Sequence, residues 1–472
     1  MSDTKKFLVK TKDCSVNCRF TVFLKDFKEA VTTAYITSVS KNNPNLTRIE
    51  TFENTIKICT YNSISFSEYI IPAEIQTDKS EFSEVPNARF NLDLNMLVKI
   101  AGAFSGEENI SFDVDMEHMV ARVSCGNSTL ELSIYPDTDF VDFSARMENA
   151  ESKGIVDTEI IRKTIQFISQ FAKKDDVQPN LSLLEFRNGQ AVGGTVTALA
   201  YVKSEAFKFS LKLRFELLSQ MDRFLTHFNN DVELFETKTH YILADENILC
   251  GFEKIPYTFP PVEPIFNAPT DSRVLTIDRV SLLKSLTRLS IMSSIKDLII
   301  HITTDSNGRM TLYTQDDKGR KSTDCIDVSV SDTENTEKSF NLILPILLKS
   351  LQGSSSEKIT MKMIPDKLVI LTDERSEGTF ISIFTVTVTF EIFAEICVMA
   401  AEVSVIEDEL IEQNKTKSHA AKKPQKRGFI SVIEAVNGKG TPSRSGSTGK
   451  AGHPLRGNCC RGEDRGHRGR FP

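Results

Sequence analysis

Few stretches of this chain have the residue types and spacing that chemistry requires. Gly446-Ser447-Thr448-Gly449-Lys450 has part of a phosphate-binding loop. Such a loop also needs a Gly at 444, a hydroxyl residue at 451 and a strand before it, because the phosphates rest on backbone N–H groups and on the Lys. Arg444 and Ala451 stand at those positions, within a Gly/Arg-rich segment. Cys14 and Cys18 have the spacing of half a zinc site, but none of the 7 His residues supplies the second pair of ligands. Carboxylates such as Asp175 and Asp176 are what a divergent metal-dependent nuclease would use, and adjacent acids in a polar stretch are also ordinary turn composition. No Ser/His/Asp spacing and no paired His on a helix is found. The reading is therefore a non-enzyme with no cofactor and no metal.

Binding chemistry is more legible. The chain of 472 residues has a net charge of −7 that is unevenly spread. From Gln413 to Pro472 there are 14 Lys+Arg against 3 Asp+Glu, which leaves 43 against 61 for the rest. An acidic body does not attract nucleic acid by global charge, so contact with a phosphate backbone needs a local basic stripe. Three amphipathic stretches offer one. At 100° per residue, Phe27, Ala30, Val31 and Ala34 face one way with Lys25 and Lys28 opposite. Ile161, Ile165, Phe167, Ile168 and Phe171 leave Arg162 and Lys163 outside, and Leu282, Leu283, Leu286 and Leu289 leave Lys284 and Arg288 outside. Solvated helix faces often carry Lys and Arg, but the recurrence favours a cationic surface built from repeated helices.

The repeat extends further. Phe90-Asn91-Leu92-Asp93-Leu94, Phe209-Ser210-Leu211-Lys212-Leu213 and Phe340-Asn341-Leu342-Ile343-Leu344 each open an apolar run. Asn91, Ser210 and Asn341 are good N-cap types, so three second helices are predicted to begin there, carrying Lys99, Lys212 and Lys349. The first helices are predicted over Leu24–Val39, Asp157–Lys174 and Thr276–Ser294. From Leu24 to Phe90, Asp157 to Phe209 and Thr276 to Phe340 the separations are 66, 52 and 64 residues. Period-two segments such as Ile56–Thr60, Ile110–Val114, Val232–Phe235 and Ile359–Met363 read as strands. Pro-bearing segments at Tyr135–Asp139 and Tyr257–Pro264 separate the copies. The prediction is an α+β chain of three repeated domains at 1–146, 147–267 and 268–390, each with two helices packed on antiparallel sheets.

The ordered pattern resembles the bacterial-type DNA sliding clamp, the beta subunit family of DNA polymerase III, in a divergent and phage-like form. Phe171-Ala172-Lys173-Lys174-Asp175-Asp176-Val177-Gln178-Pro179-Asn180-Leu181 is similar to that family's helix end, acidic turn and first strand. Phe259-Pro260 with Ile265-Phe266 and Pro269 resembles its link between second and third domains, and Ser339-Phe340-Asn341 with Leu347 and Leu348 resembles its last helix. The resemblance implies three clamp domains and a head-to-tail homodimer ring that encircles double-stranded DNA without reading sequence. It also implies a processivity factor, a non-catalytic accessory subunit of a DNA polymerase holoenzyme. Lys25, Lys28, Lys99, Arg162, Lys163, Lys212, Lys284, Arg288 and Lys349 would face the DNA. Polymerase and clamp loader would dock by a short peptide in a pocket matching Leu181, Leu199, Pro260, Ile265, Ile381 and Ile383. Where the family has Thr-Asp-Gly-His-Arg-Leu, this chain has Gly194-Thr195-Val196-Thr197-Ala198-Leu199, which keeps only the Leu. A scaffold built from the same repeats and a divergent nucleic-acid enzyme are the competing readings.

Of the nine cysteines, those scattered singly suit reduced buried thiols and a cytoplasmic setting, the adjacent Cys459 and Cys460 read as exposed residues of the Gly/Arg-rich tail, and no secretory leader is legible. Phe380–Ala401 is apolar, but Glu391 and Glu395 within it argue against a membrane span. A last strand followed by an amphipathic extension over 391–412 is predicted instead, and then a basic Gly/Arg-rich tail over 413–472 that is expected to be disordered.

Overall fold

The structure is a computed structural model describing residues 17–38, 45–76, 88–104, 109–136, 149–195, 197–228, 231–262, 272–291, 299–305, 307–315, 319–330, 338–364 and 368–385. The chain divides into Met1–Glu407 and Asp408–Pro472, and all described residues belong to the first unit. Cys14, Ile265, Cys397, Cys459, Cys460, the extension over 391–412 and the basic tail lie outside them.

One element order occurs three times. The first copy runs β1 (Cys18–Phe23), α1 (Leu24–Thr37), β2 (Leu46–Phe52), β3 (Thr55–Tyr61), β4 (Ser65–Pro72), β5 (Glu74–Gln76), β6 (Arg89–Asp93), α2 (Leu94–Ala103), β7 (Asn109–Asp115), β8 (Val120–Cys125) and β9 (Ser128–Ser133). The second runs β10 (Glu151–Asp157), α3 (Thr158–Ile168), a 3₁₀ turn (Pro179–Leu181), β11 (Leu183–Arg187), β12 (Gln190–Gly194), β13 (Ala198–Lys203), β14 (Leu211–Arg214), α4 (Phe215–Phe224), β15 (Asp231–Glu236), β16 (His240–Ala244) and β17 (Ile248–Glu253). The third runs β18 (Arg273–Asp278), α5 (Arg279–Ser290), β19 (Ile299–Thr304), β20 (Arg309–Gln315), β21 (Lys321–Asp327), β22 (Ser329–Val330), β23 (Lys338–Ile343), α6 (Leu344–Gln352), β24 (Lys358–Ile364), β25 (Leu368–Arg375) and β26 (Gly378–Thr385). The four predicted period-two segments are β3, β7, β15 and β24.

Helix starts need correction: Thr276 lies in β18 and α5 begins at Arg279, and the second helices begin later than expected. Phe90, Leu92 and Leu94 are buried apolar residues at alternate positions, as are Phe209, Leu211, Leu213 and Phe340, Leu342, Leu344. That spacing is a strand's, so Asn91, Ser210 and Asn341 lie in or before β6, β14 and β23 and are not N-caps. Asn91 instead accepts from Arg48 Nε (3.4 Å) and donates to the Pro136 carbonyl (2.8 Å). Three helices are capped by Asp. Asp93 accepts from Asn95 N (2.9 Å), Asp157 from Glu159 N (2.8 Å) and Asp278 from Ser281 N (2.7 Å), each satisfying an N–H with no intrahelical partner.

Among the described residues four antiparallel sheets result: β5-β1-β7-β8-β9, β10-β15-β16-β17-β4-β3-β2-β6, β14-β11-β12-β13-β26-β25-β24-β18-β22, and β21-β20-β19-β23. The two long sheets are seams between copies. The last strand of one copy pairs with the equivalent inner strand of the preceding copy, β17 on β4 and β26 on β13. Helices cover one face of each seam. Ala198, Ala200 and Val202 of β13 join the helix-side core, while Leu199 and Tyr201 join a separate cluster on the far face, as the pleat requires. Of the cysteines, 18, 59, 125 and 250 are buried free thiols. Cys325, expected buried, is exposed because its position on β21 points away from the core.

Candidate nucleic-acid interface and peptide site

The six helices found among the described residues adjoin one another. α1 packs on α2 and touches α4, α4 touches α3, and α5 packs on α6. Just past the ends of α3 and α6 the two copies approach, where a Cβ on Gly353 would lie 2.8 Å from Gln170 Nε2. The seam between first and second copies is tied at the helix side by Gln220 of α4, which accepts from Ser65 Oγ (3.1 Å) and donates to the Thr37 carbonyl (3.4 Å). One helical layer therefore runs through all three copies.

The predicted cations divide into three groups on this frame. Lys25, Lys28, Lys99, Lys284 and Lys349 are exposed, and none makes an ion pair among the described residues. Lys99 and Lys349 are each the sixth residue of their helix. Gln220 takes that place in α4 and is buried at the seam, so the exposed cation of this helix is Arg223, one turn further on. Sequence reasoning missed Arg223, although its i+3 spacing from Gln220 was readable.

Arg162, Lys163 and Arg288 form the second group and are already engaged. Arg162 Nε lies 3.1 Å from Asp222 Oδ1, Lys163 bridges Glu159 Oε1 at 2.9 Å and Glu377, and Arg288 Nε donates to Asp324 Oδ2 at 2.9 Å. The Lys163 hydrogen bond holds the Glu377 carboxyl down at about 2. Burial opposes ionisation of Asp324, but the Arg288 and Cys325 hydrogen bonds keep it below its ordinary value.

Lys212 is a correction. It lies on β14 rather than on a helix, and Leu211 and Leu213 on either side take the helix-side face. Lys212 therefore sits on the far face, where its Nζ donates to Thr258 Oγ1 at 2.7 Å. It belongs to a strap. Glu185, 4% exposed, accepts from Phe259 N at 2.7 Å, and Arg187 Nη2 donates to the Pro260 carbonyl at 3.4 Å. Thus β11 and β14 hold residues 258–260 across the far face.

Beneath this strap lies the predicted peptide site. Leu181, Leu199 and Ile383 join Leu183, Val192, Tyr201, Phe259 and Ile370 in one apolar cluster, with the half-buried Ile381 against it. The register produces this directly, since Leu199 faces Ile383 and Tyr201 faces Ile381 across the seam. Pro260 is buried beside Phe259. The other seam has a smaller far-face cluster around Phe66, Ile70 and Leu249, with charges beside it. Lys57 lies 3.2 Å from Glu50 and 3.6 Å from Glu68.

Catalytic geometry is not assembled at Asp175-Asp176. Asp175 Oδ1 accepts from Val177 N and Gln178 N, both at 2.9 Å, and Asp176 pairs with Lys174 at 3.1 Å. Among the described residues no group of three metal-ligating side chains occurs, and no helix among them is long and apolar enough to cross a membrane.

A tandem of seamed repeats with its helices in one layer is the DNA sliding-clamp fold. The chain is similar in structure to the DNA polymerase III subunit beta from Pseudomonas aeruginosa (TM-score 0.68, 14% identity, 79% of this chain and 100% of that one). It is likewise similar to the DNA polymerase sliding clamps from Caulobacter crescentus (TM-score 0.68, 14% identity, the same coverage) and Bacillus subtilis (TM-score 0.68, 12% identity, the same coverage). No protein-family model and no curated protein matches the sequence.

Proposed function

We propose that this chain is a DNA polymerase processivity factor, a sliding clamp without catalytic activity that works in the cytoplasm, encircles duplex DNA and tethers a polymerase to it. The observation that carries this reading is the repeat itself. Exposed lysines recur on one layer of helices, and the two terminal strands are in the roles of each other's partners. β9 is the equivalent of β17 and β26, β21 is the equivalent of β4 and β13, and among the described residues neither pairs on its outer side. A second copy joined head to tail would form the same seam twice and leave neither edge unpaired. Such a ring of six domains, with boundaries at 1–146, 147–267 and 268–390, presents Lys25, Lys28, Lys99, Lys284 and Lys349 to phosphates. Phosphate contacts hold without reading sequence, which suits sliding.

The cluster around Leu199 and Ile383 is the place for a short apolar peptide from polymerase or clamp loader, with Leu181, Pro260, Ile381 and Ile265 as further wall residues. The test is retention after loading. Encirclement predicts that protein stays on closed circular DNA and leaves when the circle is cut; equal retention on both forms rejects it.

A further inference from the structure

The three copies differ in the connection between their inner seam strand and the strand before the second helix. Residues 73–88, 16 in all, join β4 to β6 and include β5, which pairs with β1 at Arg19, Phe20 and Thr21. Residues 328–337, 10 in all, join β21 to β23 and include β22, which pairs with β18 at Leu275 and Thr276. The equivalent connection in the second copy, residues 204–210, has 7 residues and no strand. Among the described residues β10, the counterpart of β1 and β18, is therefore the edge of its sheet.

Counting back from the helix N-caps Phe23, Asp157 and Asp278 makes Gly154 and Ile155 the equivalents of Phe20 and Thr21, and of Leu275 and Thr276. Among the described residues nothing covers on β10 the places that β5 and β22 cover on β1 and β18. Ile155 is 74% exposed. Lys153, the residue that would repel an incoming strand, is drawn aside by Glu151 and Glu236, both at 3.1 Å. A cleft of about 780 Å³ lies at the end of β10, against the short connection. Asp157, Glu159, Glu205, Glu374 and Glu377 line it. Of its cations, Lys163 is held by Glu159 and Glu377 and Arg375 by Asp373, which leaves Lys203.

We propose that β10 receives an extended segment of a partner protein as an added antiparallel strand over Gly154–Val156, past the register shift between Ser152 and Gly154, with an apolar residue on Ile155 and basic side chains in the cleft beside Asp157 and Glu205. Strand addition uses the free backbone groups of an edge for affinity and flanking side chains for selectivity. The site is at the opposite end of β13 from Gly194–Leu199, and it does not depend on the clamp reading.

The test is hydrogen exchange on the full chain, with a ten-residue peptide of alternating Lys and Val as probe and a Glu/Val peptide as control. Amides of 151–157 are expected to exchange about tenfold more slowly with the Lys/Val peptide, and not with Glu/Val or in Ile155→Pro. Ile155→Lys, at an exposed side chain, guards against misfolding of the Pro variant and should also lose the effect. No slowing, or equal slowing by both peptides, overturns the proposal. So does protection present before any peptide is added and lost on removing residues 413–472, because the occupant is then the chain's own tail.

Discussion

Ala200 on β13 stands opposite Ser382 on β26, and at the same rung of the other seam Ser67 on β4 stands opposite Cys250 on β17. The equivalence can be followed to the free strands. Leu130 lies across from Val123 as Cys250 does from Leu243 and Ser382 from Leu371. Ser322 lies across from Thr314 as Ala200 does from Gly193 and Ser67 from Thr60. A seam between two copies in this register sets Leu130 against Ser322, Thr129 against Thr323 and Glu131 against Lys321. Opposed cross-strand charges contribute roughly 0.2–1 kcal/mol, and the pair occurs twice in a closed dimer. Glu131→Lys is expected to raise the dissociation constant about tenfold, and adding Lys321→Glu should restore it, measured by sedimentation. Glu131 also pairs with Arg122 at 3.0 Å, so the single variant alone does not discriminate; failure of the second change to rescue would show the register to be wrong.

The helix-layer cations should not act alike. Lys99 and Lys349 are exposed at equivalent places, whereas Lys212 points to the far face and donates to Thr258. Replacing Lys99 or Lys349 by Glu is expected to weaken DNA association uniformly across sequences and to lower the salt slope by about 0.9 for each phosphate that is no longer neutralised. Lys212→Glu should leave the slope unchanged. Titrating each variant against duplex DNA at several salt concentrations checks this, and a slope change for Lys212 alone would reverse the assignment of faces.

The tripling, the presence of the first helices and the strand segments were legible because each rests on a local period, although the helices were drawn too long, α3 ending at Ile168 rather than Lys174 and Thr276 lying in β18. The second-helix starts were misread because Phe209, Leu211 and Leu213 satisfy a strand's period two immediately before the helical run, and Ser210 invited a cap. That slip also put Lys212 on the wrong face, since a strand alternates its sides where a helix rotates them. Leu181, Leu199, Ile381 and Ile383 were named as one site by resemblance, but their union depends on β13 meeting β26 across some 180 residues (Leu199 to Ile383). No local pattern encodes that pairing. Val192, Tyr201 and Ile370 of the same cluster were missed for that reason, as was the engagement of Arg162 by Asp222 and of Arg288 by Asp324.

Glu377 gives a pH signature. Its carboxyl is held down at about 2 by the Lys163 hydrogen bond, against an ordinary 4.5. The folded state therefore binds the proton less readily than the unfolded one. The resulting stability is complete above pH 4.5 and is lost as pH falls towards 2. The pair is partly solvated, which limits the effect to about 1 kcal/mol or less. Urea unfolding at pH 6 and pH 3 should show wild type losing more stability than Glu377→Gln, and equal losses would remove Glu377 from the acid response.

The strap over the far face gives the sharpest contrast between two substitutions at one residue. Glu185 is buried and its Oε2 accepts from Phe259 N at 2.7 Å, with Lys212 Nζ 4.0 Å from Oε1. Glu185→Ala leaves a buried N–H without its acceptor, which costs about 1–3 kcal/mol. Glu185→Gln keeps an amide oxygen in that place and should lose much less. Released residues 258–260 would also uncover Leu199 and Ile383. Glu185→Ala is therefore expected to lower the unfolding midpoint and to raise binding of an apolar dye, with Glu185→Gln close to wild type in both. If the Gln variant is as destabilised as the Ala variant, the carboxylate's charge beside Lys212, rather than its hydrogen bond to Phe259, is what fixes the strap.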